Sequence, residues 1–392
     1  MAATQEIADV VEPTHDEITR QKFVSVLRKH VLIDFAGDMR TAYDERVKPR
    51  FVEENGREPK DGVEIRKEMV SDPIFQLWST LRTNAQLMTW WSVQPSIERK
   101  IPELNEVARK AAASNSAPGS LQLDPGVDIP KAVTEIDIHM MPGCFHTEYT
   151  DDDVTQGAVY EHGTGVFSAG LPRHRGKGVG ASMARYLKVA FPDFAPKKIL
   201  DEGTTFGRGL FPFLDEYPDL EGYGIDVGAP LLRYGHTKAR EMGKTIHFSQ
   251  MNSDVLDFED ETFDIVTSSF FLHEISVKST RKSFKEAYRV LKPGGLMLHM
   301  ELPPAAHLDA YGNFSTDWDA YWNNEPHYAA FRALDFPTEI ANAGFDPDKF
   351  LQMRVPNLGV VPDDVFNACA RGESKDGIDV HGASWFFFGS WK

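Results

Sequence analysis

The stretch KKILDEGTTFGRGLF, residues 197–211, decides how the rest of the chain reads. Apolar residues run into Asp201 and Glu202, and then Gly203, Gly207 and Gly209 follow closely. A short apolar run ending in glycines is the pattern of a strand that turns sharply. A glycine there removes the Cβ that would hold a ligand away from the backbone. In an open parallel sheet, ligands bind beyond the carboxyl ends of strands, where strand order reverses. Two familiar ligand cradles do not fit the spacing: the glycines do not form the dinucleotide pattern G-x-G-x-x-G, and no G-K-[ST] follows for a P-loop.

Working outward, the chain from about 181 alternates helix, strand, glycine turn and helix, as a parallel α/β sheet does. After KKILDEG come EGYGIDVG (221–228), KTIHFSQMN (244–252), FDIVTSSFF (263–271) and GGLMLHMELP (294–303) as further strands. Between the last two, STRKSFKEAYRVLKPGG (279–295) puts Phe284, Ala287, Tyr288 and Leu291 on one helical face, with Gly294 and Gly295 ending the helix. A helix near 337–343, a strand near 350–355 and an aromatic strand at 385–389 close the chain. Asp226 ends the second strand 23 residues after Gly203, where a carboxylate can accept both hydroxyls of a ribose.

These residues together resemble the class I S-adenosylmethionine-dependent methyltransferases, well over about 181–300 and more loosely to 392. The resemblance rests on an acidic residue two before the first glycine (Asp201), the glycine turn itself, the ribose acid Asp226 and the LKPGG turn before the fifth strand. It implies a Rossmann-like seven-stranded α/β sheet, mostly parallel with an antiparallel last strand, and S-adenosyl-L-methionine as cofactor. By the same resemblance Asp201, Gly203, Thr205, Gly207, Asp226, Asn252, Ser253 and Asp254 are the cofactor-binding candidates. Two departures stand out: Thr205 takes the place of the middle glycine, and Glu202 a place normally apolar. Thr205 adds a Cβ, so either the loop sits differently or the hydroxyl makes a contact. Glu202 either meets the cofactor's ammonium or faces solvent. The adenine contact falls on Asn252 or on Asp254, and the residues alone do not choose.

A sulfonium methyl is already electrophilic, so the protein's task is to align a nucleophile and exclude water. A hydroxyl or ammonium acceptor also needs a base, and His273 in FFLHEIS, just past the fourth strand, is the catalytic candidate. Its alternative is packing over the pocket. Glu274 beside it either orients that ring or is an exposed charge. IDIHMMPGCFHTEY gathers His139, His146, Glu148 and Tyr149 on what reads as a strand, a turn and a second extended piece. Two histidines and a carboxylate can hold a metal. Contact with the substrate is put ahead of a metal for His139 and His146, with satisfied structural polar residues as the other alternative, and no metal is assigned. LPRHRGKGVG bunches Arg173, His174, Arg175 and Lys177, a basic knot suited to a carboxylate. The aromatic and polar interval HLDAYGNFSTDWDAYWNNEPHY (307–328) occupies the place of an acceptor lid, with Trp318, Tyr321, Trp322 and Tyr328 as candidate walls.

The N-terminal ~115 residues read as helical. QKFVSVLRKHV places Phe23, Val26, Leu27 and Val31 at helical spacing. In SDPIFQLWSTLRTNAQLMTWW, Asp72 caps, Pro73 starts the helix, and Ile74, Trp78, Leu81, Ala85 and Met88 form a stripe. Residues 114–130 are rich in turn formers and read as a linker. The expected organisation is a helical cap or dimerisation region (1–130), a connecting segment (131–180), and a cofactor-binding domain (181–392) with an acceptor-lid insertion at 303–334.

With 42 Lys and Arg against 59 Asp and Glu, the chain carries a net charge of −17, which repels phosphate backbones and disfavours nucleic acid as partner. No apolar run approaches the ~20 residues that span a bilayer. Two cysteines build neither a disulfide framework nor a four-thiolate site. The expectation is a cytoplasmic methyltransferase for a small-molecule acceptor, not membrane-bound, and plausibly a homodimer. Its rivals are a protein that binds the cofactor without transferring methyl, and, disfavoured by the glycine spacing, a nicotinamide dehydrogenase.

Overall fold

The structure, a computed structural model, describes residues 6–114, 118–167, 180–376, 378 and 384–392. Eight strands form one sheet: β1 (Ser120–Gln122), β2 (Lys198–Glu202), β3 (Glu221–Asp226), β4 (Ile246–Gln250), β5 (Phe263–Ser269), β6 (Leu291–Glu301), β7 (Phe350–Pro356) and β8 (Ser384–Trp391). Their order is β1-β4-β3-β2-β5-β6-β8-β7. Strands β1 to β6 pair in parallel, and β8 runs antiparallel between β6 and β7. The sheet is therefore the expected mostly parallel one with an antiparallel last strand, plus one strand at its edge. That extra strand comes from the segment read as a linker. At Gly119 (φ +99°) a Cβ would lie 2.3 Å from the Ile246 carbonyl oxygen, so only glycine lets β1 reach β4 this closely.

Strand order reverses between β2 and β5: β3 and β4 lie on one side of β2, and β6 on the other side of β5. The crevice at this switch point is where the fold offers a ligand site. Alternation along β2 sends Ile199 into one core and Leu200 into the other. The first core joins the sheet to the N-terminal helices through Trp90, Val93, Ile97 and Leu104. A third cluster lies among helices, where Phe75 and Trp78 meet Tyr311, Phe314 and Trp318.

The long helix Pro73–Glu98 begins where its cap is written: the Asp72 carboxylate accepts from the Ile74 N–H at 2.9 Å, and Pro73 occupies the first turn. The helix His15–Lys29 starts with a capping box between Thr14 and Glu17. Its buried face differs from the apolar spacing. Val24, Ser25 and Arg28 face inward, whereas Phe23 and Val26 are 58% and 68% exposed. The face is set by long-range polar bonds: Ser25 Oγ donates to the Val166 carbonyl at 3.0 Å, and the Arg28 guanidinium reaches Gln86. Val31, one turn on from Arg28 and two from Val24 on the same face, is buried at the start of a π-helical stretch, His30–Phe35.

The segment 131–149, expected to be extended, is a short helix (Lys131–Glu135) followed by tight turns. His139, Met140 and Cys144 hold φ of 55°, 54° and 50°, a left-handed backbone that cannot enter a ladder. The reason lies in the N-terminal helix: Gln86 Nε2 and Trp90 Nε1 both donate to the His139 carbonyl, at 2.8 and 2.7 Å.

Candidate active site

A cleft opens at the switch point, lined by Gly203, Thr205, Asp226, Val227, Met251, Asn252, Ser253, Phe270, Phe271, His139 and Glu274, together with Pro130, Phe145 and Tyr160. Its floor is the 203–209 turn, strapped by hydrogen bonds that begin at buried carboxylates. Thr204 Oγ1 donates to Asp201 Oδ2 at 2.7 Å, and the Thr204 N–H to the Ile225 carbonyl at 2.9 Å. The Thr205 N–H donates to Asp226 Oδ2 and the Gly228 N–H to Asp226 Oδ1, both at 2.9 Å. Gly203 turns at φ +63°, with the Phe271 ring against its Cα, and Thr205 follows at φ +52°.

Asp226 thus stands at the end of β3 with its carboxylate fixed and one edge toward the cleft. Each of its oxygens takes one backbone N–H, leaving lone pairs for hydroxyl donors. Burial pushes its pKa above the ordinary carboxylate value, and the Gly228 and Thr205 N–H groups act against that shift. Asp201 lies beneath the turn, where burial raises it to about 7 despite the Thr204 hydroxyl, and Gly207 packs against Phe248 and Phe211. Both shape the turn from below and are absent from the cleft lining. Asn252 lines the cleft, its Oδ1 accepting the Asp254 N–H at 3.0 Å and its Nδ2 donating to the Asp128 carbonyl at 2.9 Å. Ser253 lines it too, whereas Asp254 turns away to Lys282 at 2.7 Å. Glu202 meets neither solvent nor the cleft. It is fully buried, takes a 2.8 Å bond from Ser283 Oγ, and is raised by burial to about 8.

The other end of the cleft is a knot of histidines and carboxylates. His273 is buried behind the wall, its Nδ1 bonded to Glu301 Oε2 at 2.7 Å. Its Nε2 faces Glu274 at 3.4 Å and Glu325 at 3.8 Å. His139 faces the cleft, with Nε2 2.8 Å from Glu274 and Nδ1 3.2 Å from Glu325. Burial draws the His139 ring toward its neutral form, and the Glu274 and Glu325 carboxylates overcome this to raise it to about 10. Sequence reading brought together neither Glu301, at the end of β6, nor Glu325, in the 307–328 interval. The polar ending of an otherwise apolar strand in LMLHMELP was the available signal for Glu301.

The remaining candidates lie elsewhere. Trp318 stacks on Phe75 (5.1 Å) and Tyr321 (4.9 Å), and its indole N–H donates to Ser79 Oγ at 2.9 Å. These aromatics tie the 307–328 interval to the N-terminal helices, so they do not wall the cleft. Tyr328 packs against His273 at 5.3 Å, behind the wall. His146 is partly buried outside the lining, while Glu148 pairs with Arg233 and Tyr149 is exposed. Arg173 and the rest of its basic knot fall outside the described residues.

With the switch-point cleft and its strapped turn in view, comparison with known protein families falls on the same stretch. Residues 199–295 match the family model described as methyltransferase domain. This segment belongs to the class I S-adenosylmethionine-dependent methyltransferases. The chain is 34% identical over 110 residues to a demethylmenaquinone methyltransferase of Thermus thermophilus, covering 28% of this chain and 49% of that protein. It is 37% identical over 98 residues to the ubiquinone/menaquinone biosynthesis C-methyltransferase UbiE of Pectobacterium atrosepticum, covering 24% and 37%. The chain therefore spans half or less of the length of these curated relatives. The solved structure of Haemonchus contortus phosphoethanolamine N-methyltransferase 2 with S-adenosyl-L-methionine covers 54% of this chain and 52% of its own at 19% identity, with a TM-score of 0.39, a likeness too loose to build on. The methyltransferase match takes in the turn, Asp226, Asn252, His273 and Glu274. The N-terminal helices, His139, Glu301 and Glu325 lie outside it.

Proposed function

We propose that this chain transfers a methyl group from S-adenosyl-L-methionine to a small-molecule acceptor. The observation that carries the reading is Asp226, held by two backbone N–H bonds at the carboxyl end of β3 with its free edge in a cleft at the strand switch point. The lining suits a nucleoside with an amino-acid tail, since a few polar groups, Asp226, Asn252 and Ser253, converge among apolar and aromatic walls. In this reading Asp226 takes the ribose hydroxyls, Asn252 and Ser253 flank the adenine, and Gly203 and Thr205 let the methionine moiety lie against the turn. Bound cofactor supplies a methyl group made electrophilic by its sulfonium.

The chain's own residues do the rest. Phe270, Phe271 and Phe145 exclude water from the cleft. His139 and Glu274 are the titratable groups that face the acceptor end, where they orient it, the protonated His139 ring as a donor and the Glu274 carboxylate as the acceptor of a hydrogen bond from a nucleophile that carries a proton. His273 acts through Glu274 as a positioning residue. The 303–334 insertion, locked to the N-terminal helices through Trp318, closes the acceptor end from above.

Calorimetric titration with S-adenosylhomocysteine, followed by incubation with labelled cofactor and metabolite extract, tests the reading. Micromolar binding that Asp226→Ala weakens, together with labelled product, supports it. Wild-type protein that binds no S-adenosylhomocysteine refutes it. A homodimer is part of the same proposal, supported by the exposed Phe23, Val26 and Ile33 of the N-terminal helices, and light scattering decides it. A cytoplasmic setting is supported by the free thiols of Cys144 and Cys369. No helix among the described residues is long and apolar enough to cross a membrane.

A further inference from the structure

The histidine–carboxylate knot carries more than acceptor contact. Three carboxylates, Glu274, Glu301 and Glu325, meet two imidazoles, and among the described residues none of the three pairs with a lysine or arginine. Even with both rings protonated, one negative charge is left over in a buried place, which is costly unless something positive is bound there. Hydrogen bonding sharpens the point. Glu301 is satisfied: it accepts from the Leu272 N–H (2.8 Å) and the Leu302 N–H (3.1 Å) as well as from His273 Nδ1. That carboxylate–imidazole bond turns His273 so that Nε2 points at Glu274 and Glu325, the arrangement by which an outer carboxylate orients a metal-ligating histidine. Both Glu274 oxygens are buried, and among the described residues only the ring nitrogens of His139 and His273 approach them, off the line of a well-formed hydrogen bond. Asn323, 4% exposed, sets its amide between His139 Nδ1 (2.7 Å) and Glu325, and its Oδ1 is also without a partner.

We propose that His273 Nε2, Glu274 and Glu325 bind a divalent transition-metal ion, with His139 as a fourth ligand on the cleft side. The three donor atoms lie within 4.8 Å of one another, and an ion at about 2.1 Å from each ligand needs them about 3–3.5 Å apart, a small contraction. Mixed imidazole and carboxylate donors suit zinc, manganese or iron, whereas magnesium and calcium take all-oxygen shells. Because His139 and Glu274 line the cleft, the ion's open position faces the acceptor end. An oxygen of the acceptor, a hydroxyl or carboxylate, completes the shell there. This substrate class rests on the methyltransferase reading; the ion site itself does not.

The test uses the full chain, stripped with chelator and desalted, then titrated separately with Zn²⁺, Mn²⁺ and Mg²⁺ by calorimetry, with metal content measured after dialysis. The expected result is one Zn²⁺ or Mn²⁺ per chain and much weaker Mg²⁺. Glu325→Gln should abolish the stoichiometric site, and Glu301→Gln, which touches only the ring's far nitrogen, should weaken it by about 10–100-fold. Should either variant misfold, Co²⁺ loaded into the wild type gives an independent answer: visible bands of a nitrogen- and oxygen-ligated ion support the site. Wild-type binding weaker than about 1 mM for both transition ions overturns the proposal, as does undiminished binding by folded Glu325→Gln. S-adenosylhomocysteine titrated into the same stripped protein keeps the two ideas apart. Its binding without any ion site removes only this inference, and an ion site without nucleoside binding removes only the methyltransferase reading.

Discussion

Replacing Thr205 with glycine should make the protein more stable. Thr205 sits at φ +52° in the 203–209 turn, and for an L-residue the left-handed region costs about 1–2 kcal/mol, more at the upper end for a β-branched side chain. What holds it there is its backbone, since the N–H bonded to Asp226 at 2.9 Å survives any substitution except proline. No hydrogen bond is made by its hydroxyl among the described residues, so little is lost with the side chain. Against the relief stands the greater freedom of glycine in the unfolded chain, about 0.5–1 kcal/mol. The balance is a gain of about 0.5–1 kcal/mol, or roughly 1–2 °C in melting temperature for a chain of this size. Thermal and urea denaturation of wild type, Thr205→Gly and Thr205→Ala measure it. Alanine keeps a Cβ and most of the strain, so it should fall at or below wild type. If glycine proves less stable than alanine, the turn is not strained and the account of how threonine is tolerated in this loop is wrong. S-adenosylhomocysteine affinity should change by less than about threefold across the three proteins, because the backbone holds Asp226 in all of them.

Other consequences follow from neighbouring groups. Asp226→Ala should cost about 2–3 kcal/mol of S-adenosylhomocysteine binding, roughly 100-fold by calorimetry, from losing charge-assisted bonds to the ribose. Gly203→Ala places a Cβ 2.2 Å from a Phe271 ring carbon at φ +63°; strain and overpacking together should destabilise by about 2–5 kcal/mol and weaken nucleoside binding, read by melting and calorimetry. Burial holds Glu202 at about 8, against an ordinary value near 4.3 in the unfolded chain. The folded state then keeps a proton that the unfolded state has lost, so stability should fall as pH rises from about 4.5 to 8, by at most about 1.4 kcal/mol per unit, and Glu202→Gln should flatten that slope in pH-dependent denaturation. Arg332 is 1% exposed and bonds Asp317 (2.7 Å), Asn313 (2.8 Å) and the Pro303 carbonyl (3.2 Å); Arg332→Met should lower stability by about 2–4 kcal/mol, since three acceptors lose their donor at once.

The parallel sheet and its switch-point turn were legible because their signals are local. A strand, its turn and the acid ending the next strand are each written within a few residues, and periodicity places them in order. The same locality explains the errors. Phe23 and Val26 have the right spacing for a buried stripe, but the choice of face was made by Ser25 and Arg28, through bonds to Val166 and Gln86 that no window of sequence contains. Residues 131–149 alternate like a strand, yet two side chains of a distant helix hold the His139 carbonyl and force a left-handed turn. Trp318 and Tyr321 have the composition of a pocket wall, but Trp318 became core because the N-terminal helices supplied Phe75 and Arg66 to stack on it, and Tyr321 lies exposed on its outer side.

The acceptor end shows why such long-range choices matter to function. His139, His273, Glu274, Glu301 and Glu325 come from a turn, the end of β5, the end of β6 and the 307–328 interval, and each alone is an ordinary polar residue at the edge of an element. Only the fold gives them a common chemistry. His139 reaches the cleft because its backbone is strained at φ 55°, and that strain persists only while Gln86 and Trp90 hold its carbonyl. The N-terminal helices thereby shape the wall against which an acceptor would lie, although none of their residues lines the cleft. Substitutions at Trp90 should consequently disturb the acceptor end while leaving the Asp226 end intact. A Trp90→Phe protein that binds S-adenosylhomocysteine normally but has lost the histidine–carboxylate geometry, read from the ring resonances of His139 and His273, would bear this out, and unchanged resonances would break the link between the helices and the site.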